Sequence, residues 1–293
     1  MAKKNIKVLS VILILTFVIS PLKIYAMQYE IATDRERGQA SLSILDYNGN
    51  FIVVPCYATN IALPNNKIVP VAIVSEDMSA YHIPRFHEEY DSVSANSDRL
   101  YTATAFYNCH SYAWYSQNTT TNQYWISNPS GYYNCGLYYE VSTPLVGDII
   151  CYMDNNETPG NAADDTNIHS GIIVEVYDFQ IANGLAGEYT VESKWGGGGL
   201  YRHNGYECLF TDYYSENGAD YVKFYRRSGH THNFNTYNDN GNNEYHQSIC
   251  SCGMIVHKAH NWVLHYGKSS GQRAVDYLPE YYCSLCGAFT TNP

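Results

Sequence analysis

Basic side chains are scarce in this chain. Its 293 residues hold 17 Lys and Arg against 28 Asp and Glu, a formal net charge of −11. That balance excludes nonspecific attachment to nucleic acid or anionic lipid, whose phosphates would repel it. Long apolar runs are also lacking after Val8–Ile19, so no stable membrane span is expected in the remaining chain. No period long enough to indicate structural repeats occurs, which excludes solenoids and propellers. The glycine run Gly196–Gly199 lacks the following Lys-Ser/Thr of a phosphate cradle. It reads as a flexible loop, with glycines that let another chain approach closely at the wall of a cleft.

Residues 1–26 carry Lys3, Lys4 and Lys7, then the apolar run, then the small residue Ala26. This is the pattern of a secretory signal peptide, so the expected location is outside the cell or at the cell wall. Without this segment 13 basic residues face 28 acidic ones, a net of −15. Tyrosine is abundant, with 30 residues. Amphipathic rings suit the paired strands of a β-rich extracellular chain.

Residues 27–100 read as a β-rich N-terminal segment. Leu42–Tyr47, Asn48-Gly49 and Asn50–Val54 form a hairpin signal, because Asn-Gly accepts positive φ. Lys67–Val74 has strand length. His82 and His87 flank Pro84 in an acidic stretch expected as a surface loop. Residues 101–228 alternate one short helical stretch, Cys109–Gln117, with strands at Pro144–Tyr152, His169–Val176, Tyr189–Trp195 and Tyr221–Arg226. The expected class is therefore α+β. Residues 229–245, rich in Asn, Gly, Thr and His, have linker composition. Residues 246–293 form a small Cys/His-rich module.

Nine cysteines occur, an odd number that leaves one thiol free if the others pair. A nucleophile is the natural odd one out. Cys135 and Cys208 are candidates for a disulfide, and Cys151 for a buried free thiol. Cys109 is the candidate nucleophile. Asn108 is a favourable N-cap, placing Cys109 in a first turn where its thiolate is favoured and its amide is free to face an oxyanion. His169, at the start of a strand followed by the small residues Ser170 and Gly171, is the candidate base. The next strand offers Glu192, Ser193 and Lys194 as the group that orients the ring. Alternation places Ser193 with Val191 and Trp195, on the face opposite to Glu192 and Lys194. His110 is read as a rim residue.

Three stretches together carry a resemblance: Asn108-Cys109-His110-Ser111-Tyr112-Ala113-Trp114-Tyr115, Val146-Gly147-Asp148-Ile149-Ile150 and His169-Ser170-Gly171-Ile172-Ile173-Val174. They resemble the CHAP amidohydrolase/peptidase domains and the related NlpC-type cell-wall peptidases, over roughly residues 100–227. The resemblance implies a papain-like fold, a Cys-bearing helix packed on an antiparallel sheet that bears the His. It further implies cleavage of amide bonds in peptidoglycan stem peptides or cross-bridges, with Cys109 as nucleophile and His169 as base. CHAP domains commonly place Glu and Asn two apart on the following strand. Here the pair is Glu192 and Lys194, so Ser193 competes as orienter. No cofactor is expected for the catalysis. Two further readings stand beside this one: a catalytically inert surface-binding protein, and a cysteine peptidase aimed at host or competitor proteins.

In the C-terminal module, Cys250-Ser251-Cys252-Gly253 and Cys283-Ser284-Leu285-Cys286-Gly287 are two short-spaced pairs. They suit one tetrahedral zinc-ribbon-like site built from Cys250, Cys252, Cys283 and Cys286, with His246 or His260 able to replace a ligand. A module of roughly 48 residues buries little core, and a structural zinc ion would supply the missing stability. Two disulfides are the alternative.

Overall fold

The computed structural model describes residues 31–34, 39–46, 48–93, 96–176, 189–212, 218–265 and 280–291. The leader at residues 1–26, expected as a signal, lies outside them. No helix among the described residues is long and apolar enough to cross a membrane.

Strands β1 (Ile31–Asp34), β2 (Gln39–Leu45), β3 (Phe51–Ala62) and β4 (Ile68–Val74) lead the chain, followed by helix α1 (His82–Asp91) and strand β5 (Asp98–Tyr101). A π-type turn at Ser111–Tyr115 precedes β6 (Tyr124–Ile126), α2 (Ser130–Tyr133) and β7 (Tyr138–Val141). Then come β8 (Ile149–Asp154), β9 (Thr166–Val176), β10 (Tyr189–Lys194), β11 (Leu200–Asn204) and β12 (Tyr221–Arg227). The last third holds β13 (Phe234–Asn238), β14 (Tyr245–Cys250), β15 (Ile255–Ala259), β16 (Trp262–His265), β17 (Glu280–Cys283) and β18 (Phe289–Thr290). They build a five-stranded sheet, β1-β2-β3-β4-β6, and a seven-stranded sheet, β5-β11-β10-β9-β8-β12-β7. Two three-stranded sheets follow, β13-β14-β15 and β16-β17-β18.

This architecture corrects the expected fold class. The described residues form mostly antiparallel β sheet, and among them no papain-like helix is packed on it. Cys109 and His110 enter a single short helical turn that ends at Ser116, whose backbone is already extended (φ −157°, ψ 131°). Ser111, Tyr112, Trp114 and Tyr115 are mediocre helix formers, and the turn widens so that Ser116 N donates to Ser111 O five residues back. Two expected details do appear. The Asn48-Gly49 hairpin joins β2 to β3 with Leu45 opposite Phe51 and Gly49 at φ +82°. Asn108 caps the turn, accepting from Ser111 N at 3.0 Å.

The seven-stranded sheet is buried on both faces. Ile150, Tyr152, Ile173, Val191 and Phe224 pack with Leu42, Ile44, Val54, Val74 and Phe86 of the N-terminal part. Their alternates Ile149, Cys151, Met153, Ile172 and Val174 pack with Tyr112, Ala113, Trp114, Met254 and Val256. Two-sided burial explains the near-continuous apolar runs of β8 and β9. On the second face Trp114 is a hub, with ring centroids 5.1–5.5 Å from Tyr132, Tyr133, Tyr138 and Tyr225.

Three further expectations change. The stretch around Pro84 is helix α1, not a loop: the proline sits in its first turn, where its missing N–H costs nothing. His87 is not a free surface side chain either, since Ala103 N donates to its Nε2 at 2.9 Å. Residues 229–245, expected as a linker, contain β13, paired with β14. Gly196–Gly199 is buried rather than loose. A Cβ on Gly197 would lie 2.9 Å from Phe86 Cε1 and 3.0 Å from Ile44 Cγ2.

Candidate functional site

Cys109 is fully buried. The backbone amides of Ser170, His110 and Cys109 and the charge of Lys194 favour its thiolate. Burial pushes the thiol up to about 12, against the pull of those four groups. Exclusion of water thus outweighs the groups that favour a thiolate and holds the thiol protonated.

Lys194 is buried as well. Its three N–H groups donate to the carbonyls of Thr104 (3.0 Å), Gly196 (2.5 Å) and Gly198 (2.6 Å). The glycine run is therefore a carbonyl cradle for one ammonium, and side chains there would block the turn. Burial draws the Lys194 pKa down to about 7, while Asp77 and Cys109 pull it back up.

His169 pairs with Tyr152 across β8 and β9 and stacks on Phe210 at 4.1 Å and 17°. Neither of its buried ring nitrogens meets a hydrogen-bond partner. Burial, reinforced by His110 and His203, holds it well below the usual imidazole range. It is a neutral base without an engaged acid. The side chain of β9 that meets the Cys109 turn is Ser170, whose Oγ lies 3.0 Å from His110 Nδ1 and accepts from Trp114 Nε1 at 3.2 Å. His110 is thus an enclosed contact of the turn rather than a rim residue.

None of the three candidate orienters reaches His169. Ser193 Oγ lies 2.8 Å from His203 Nε2 and accepts from Trp195 Nε1 at 3.0 Å. Glu192 faces the other way and joins the C-terminal module. Its carboxylate accepts from His257 N (3.1 Å), Tyr112 Oη (3.1 Å) and Arg202 Nη1 (3.4 Å), and lies 2.8 Å from His257 Nδ1. His203 and His257 were not singled out by sequence. Only their burial beside Ser193 and Glu192 distinguishes them.

The nine cysteines are all free, so Cys135 and Cys208 form no disulfide. The four module cysteines do not converge on one point. They split into two groups, His230/His232/Cys250/Cys252 and His246/His260/Cys283/Cys286, each with its ligand atoms within 4.8 Å of one another. The module therefore has Cys/His clusters that could hold a metal. The split has a geometric cause. Cys250 and Cys252 lie at the turn after β14, while Cys283 and Cys286 lie at the turn after β17, in different sheets. In the first group His230 Nε2 is 2.9 Å from Cys250 Sγ, and His232 Nδ1 is 3.5 Å from Cys252 Sγ. In the second, His260 Nδ1 is 3.4 Å from Cys286 Sγ, and His246 Nδ1 is 3.9 Å from Cys283 Sγ. His230 and His232 fall in the expected linker and were missed. The spacing His-x-His upstream of Cys-x-Cys was the available signal.

No family model, no curated protein and no solved structure matches the chain.

Proposed function

We propose that the chain is a cysteine hydrolase of amide bonds, with Cys109 as nucleophile and His169 as base, and that zinc holds its C-terminal module. One observation carries the first part: Asn108 caps the turn that bears Cys109, and that turn meets β9 at Ser170, the residue beside His169. In this chemistry His169 takes the thiol proton and the sulfur attacks the carbonyl carbon. The C–N bond breaks as the imidazolium returns the proton to the leaving amine. Water then hydrolyses the thioester, restoring the thiol. The amides of the first turn are the donors available to the oxyanion. The reading requires His169 to turn from Phe210 toward the sulfur, which contacts the amide of the next residue, Ser170. Peptidoglycan stem peptides or cross-bridges are the substrate class that the three motifs suggest.

The test is digestion of purified peptidoglycan by wild type and Cys109→Ala, read by mass spectrometry of released fragments. Wild type should release peptides, while the variant keeps its melting temperature and releases none. Equal release by both proteins would sink the mechanism. Complete burial of Cys109 and His169 favours a second reading, an inert surface-binding protein. Wild type that stays bound to the wall and cuts nothing would decide for it.

Zinc is the metal that suits two thiolates with two imidazoles in a tetrahedral set. Purified protein without metal, its four module cysteines oxidised, would overturn that part.

A further inference from the structure

We infer that the module binds two zinc ions rather than one, at two Cys2His2 sites that fasten different parts of the fold. This rests on the zinc reading above and specifies its number, its ligands and its consequence.

Each site has a complete donor set. Two sulfurs and two imidazoles, all within 4.8 Å of one another, need only small shifts to bind one ion at about 2.0–2.3 Å per bond. The groups that surround them suit ligation. Asn233 N approaches Cys250 Sγ at 3.5 Å, an amide directed at a thiolate. His260 Nε2 lies 2.9 Å from the Asn242 carbonyl, which fixes the ring and leaves Nδ1 for the metal. Gly253 (φ +89°) and Gly287 (φ +80°) supply the reversed turn just after each cysteine pair.

The two sites have different architecture. The first takes His230 and His232 from the segment leaving β12, and Cys250 and Cys252 from the end of β14. It abuts the turn before β8, where a Cβ on Gly147 would lie 2.5 Å from His232 Cδ2. An ion there fastens the sheet β13-β14-β15 to the large sheet that carries His169. The second takes His246 from β14, His260 from the β15–β16 junction and Cys283 and Cys286 from the end of β17. An ion there joins the two small sheets to each other. Three short strands bury little apolar area alone, so each sheet depends on what fastens it.

The experiment uses the full chain, reduced without oxygen, loaded with zinc, desalted, and measured by native mass spectrometry and elemental analysis. Wild type should carry two ions per chain. H230A/H232A and H246A/H260A should each carry one, and so should C250S/C252S and C283S/C286S. Hydrogen exchange should report which sheet each loss frees: β13–β15 together with β16–β18 for the first site, β16–β18 alone for the second. One ion in wild type, kept by both histidine variants, would mean a shared four-cysteine site. That would overturn the two-site inference while leaving zinc in place. No ion, with oxidised cysteines, would overturn zinc itself. If the cysteine variants fail to fold, the histidine pairs still separate these outcomes.

Discussion

Glu192→Gln tests whether the C-terminal module is physically coupled to the turn that bears Cys109. The carboxylate is fully buried and touches the turn through Tyr112, the sheet through Arg202 and the module through both N–H groups of His257. The amide keeps the shape but removes the charge and turns one acceptor into a donor. A hydrogen bond to a charged group contributes about 1.5–3 kcal/mol, and breaking one side of a buried pair costs about 3–5 kcal/mol. Arg202 retains Glu175 at 2.6 Å and the His257 carbonyl at 2.5 Å, so its charge is not stranded. The expected loss therefore sits at the lower end, about 2–3 kcal/mol. For a chain of this size that corresponds to roughly 4–12 °C in melting temperature. Calorimetry of wild type and variant measures it. A double-mutant cycle with His257→Leu should show a coupling of about 1 kcal/mol or more. A drop below about 2 °C with additive effects would refute the network as a junction.

Two further predictions concern the site. The Cys109 thiol, held up at about 12 when folded against an ordinary value of 9.0, stays protonated over a pH window in which the unfolded chain has lost that proton. The Cys109 contribution to stability should therefore fall as pH rises from about 9 to 12, by up to about 1.4 kcal/mol per unit. Cys109→Ala should remove that one-proton contribution in urea titrations while Cys151 and Cys208, also raised by burial, keep theirs, and identical slopes would exclude the assignment. Gly197→Ala should cost about 1–3 kcal/mol by overpacking Phe86, Ile44 and Met78, checked by thermal melting. A neutral result would mean the cradle beneath Lys194 is loose.

Local signals in the sequence located elements better than they located their arrangement. Asn48-Gly49 marked a hairpin and Asn108 a cap, because both act within a few residues. The runs of β8 and β9 marked strands, yet could not reveal that both faces are covered, which depends on partners far along the chain. The helix at Cys109 failed because its aromatic residues answer to the Trp114 cluster and not to helix propensity. Strands β5, β6, β7 and β11 were not legible for a related reason: each has five residues or fewer, and β5, β6 and β7 pair only with strands distant along the chain. The metal ligands show the same limit. Cys-x-Cys and Cys-x-x-Cys announced donors, but which histidines complete each set follows from how two sheets fold. Ser193 is a parity success and a partner failure, since it shares its face with Val191 as alternation requires and then bonds His203.

Strand β14 sets a rule about length. His246, Ser248 and Cys250 alternate inward on it, so one donor of each cluster sits at either end of the same face. Deleting one residue between them would turn one donor outward and empty a cluster. Deleting two would restore the face but shorten the separation by about 6.6 Å. The spacing between His246 and Cys250 is thus quantised. Homologous chains that keep both clusters should hold it at four residues even where every intervening side chain has drifted.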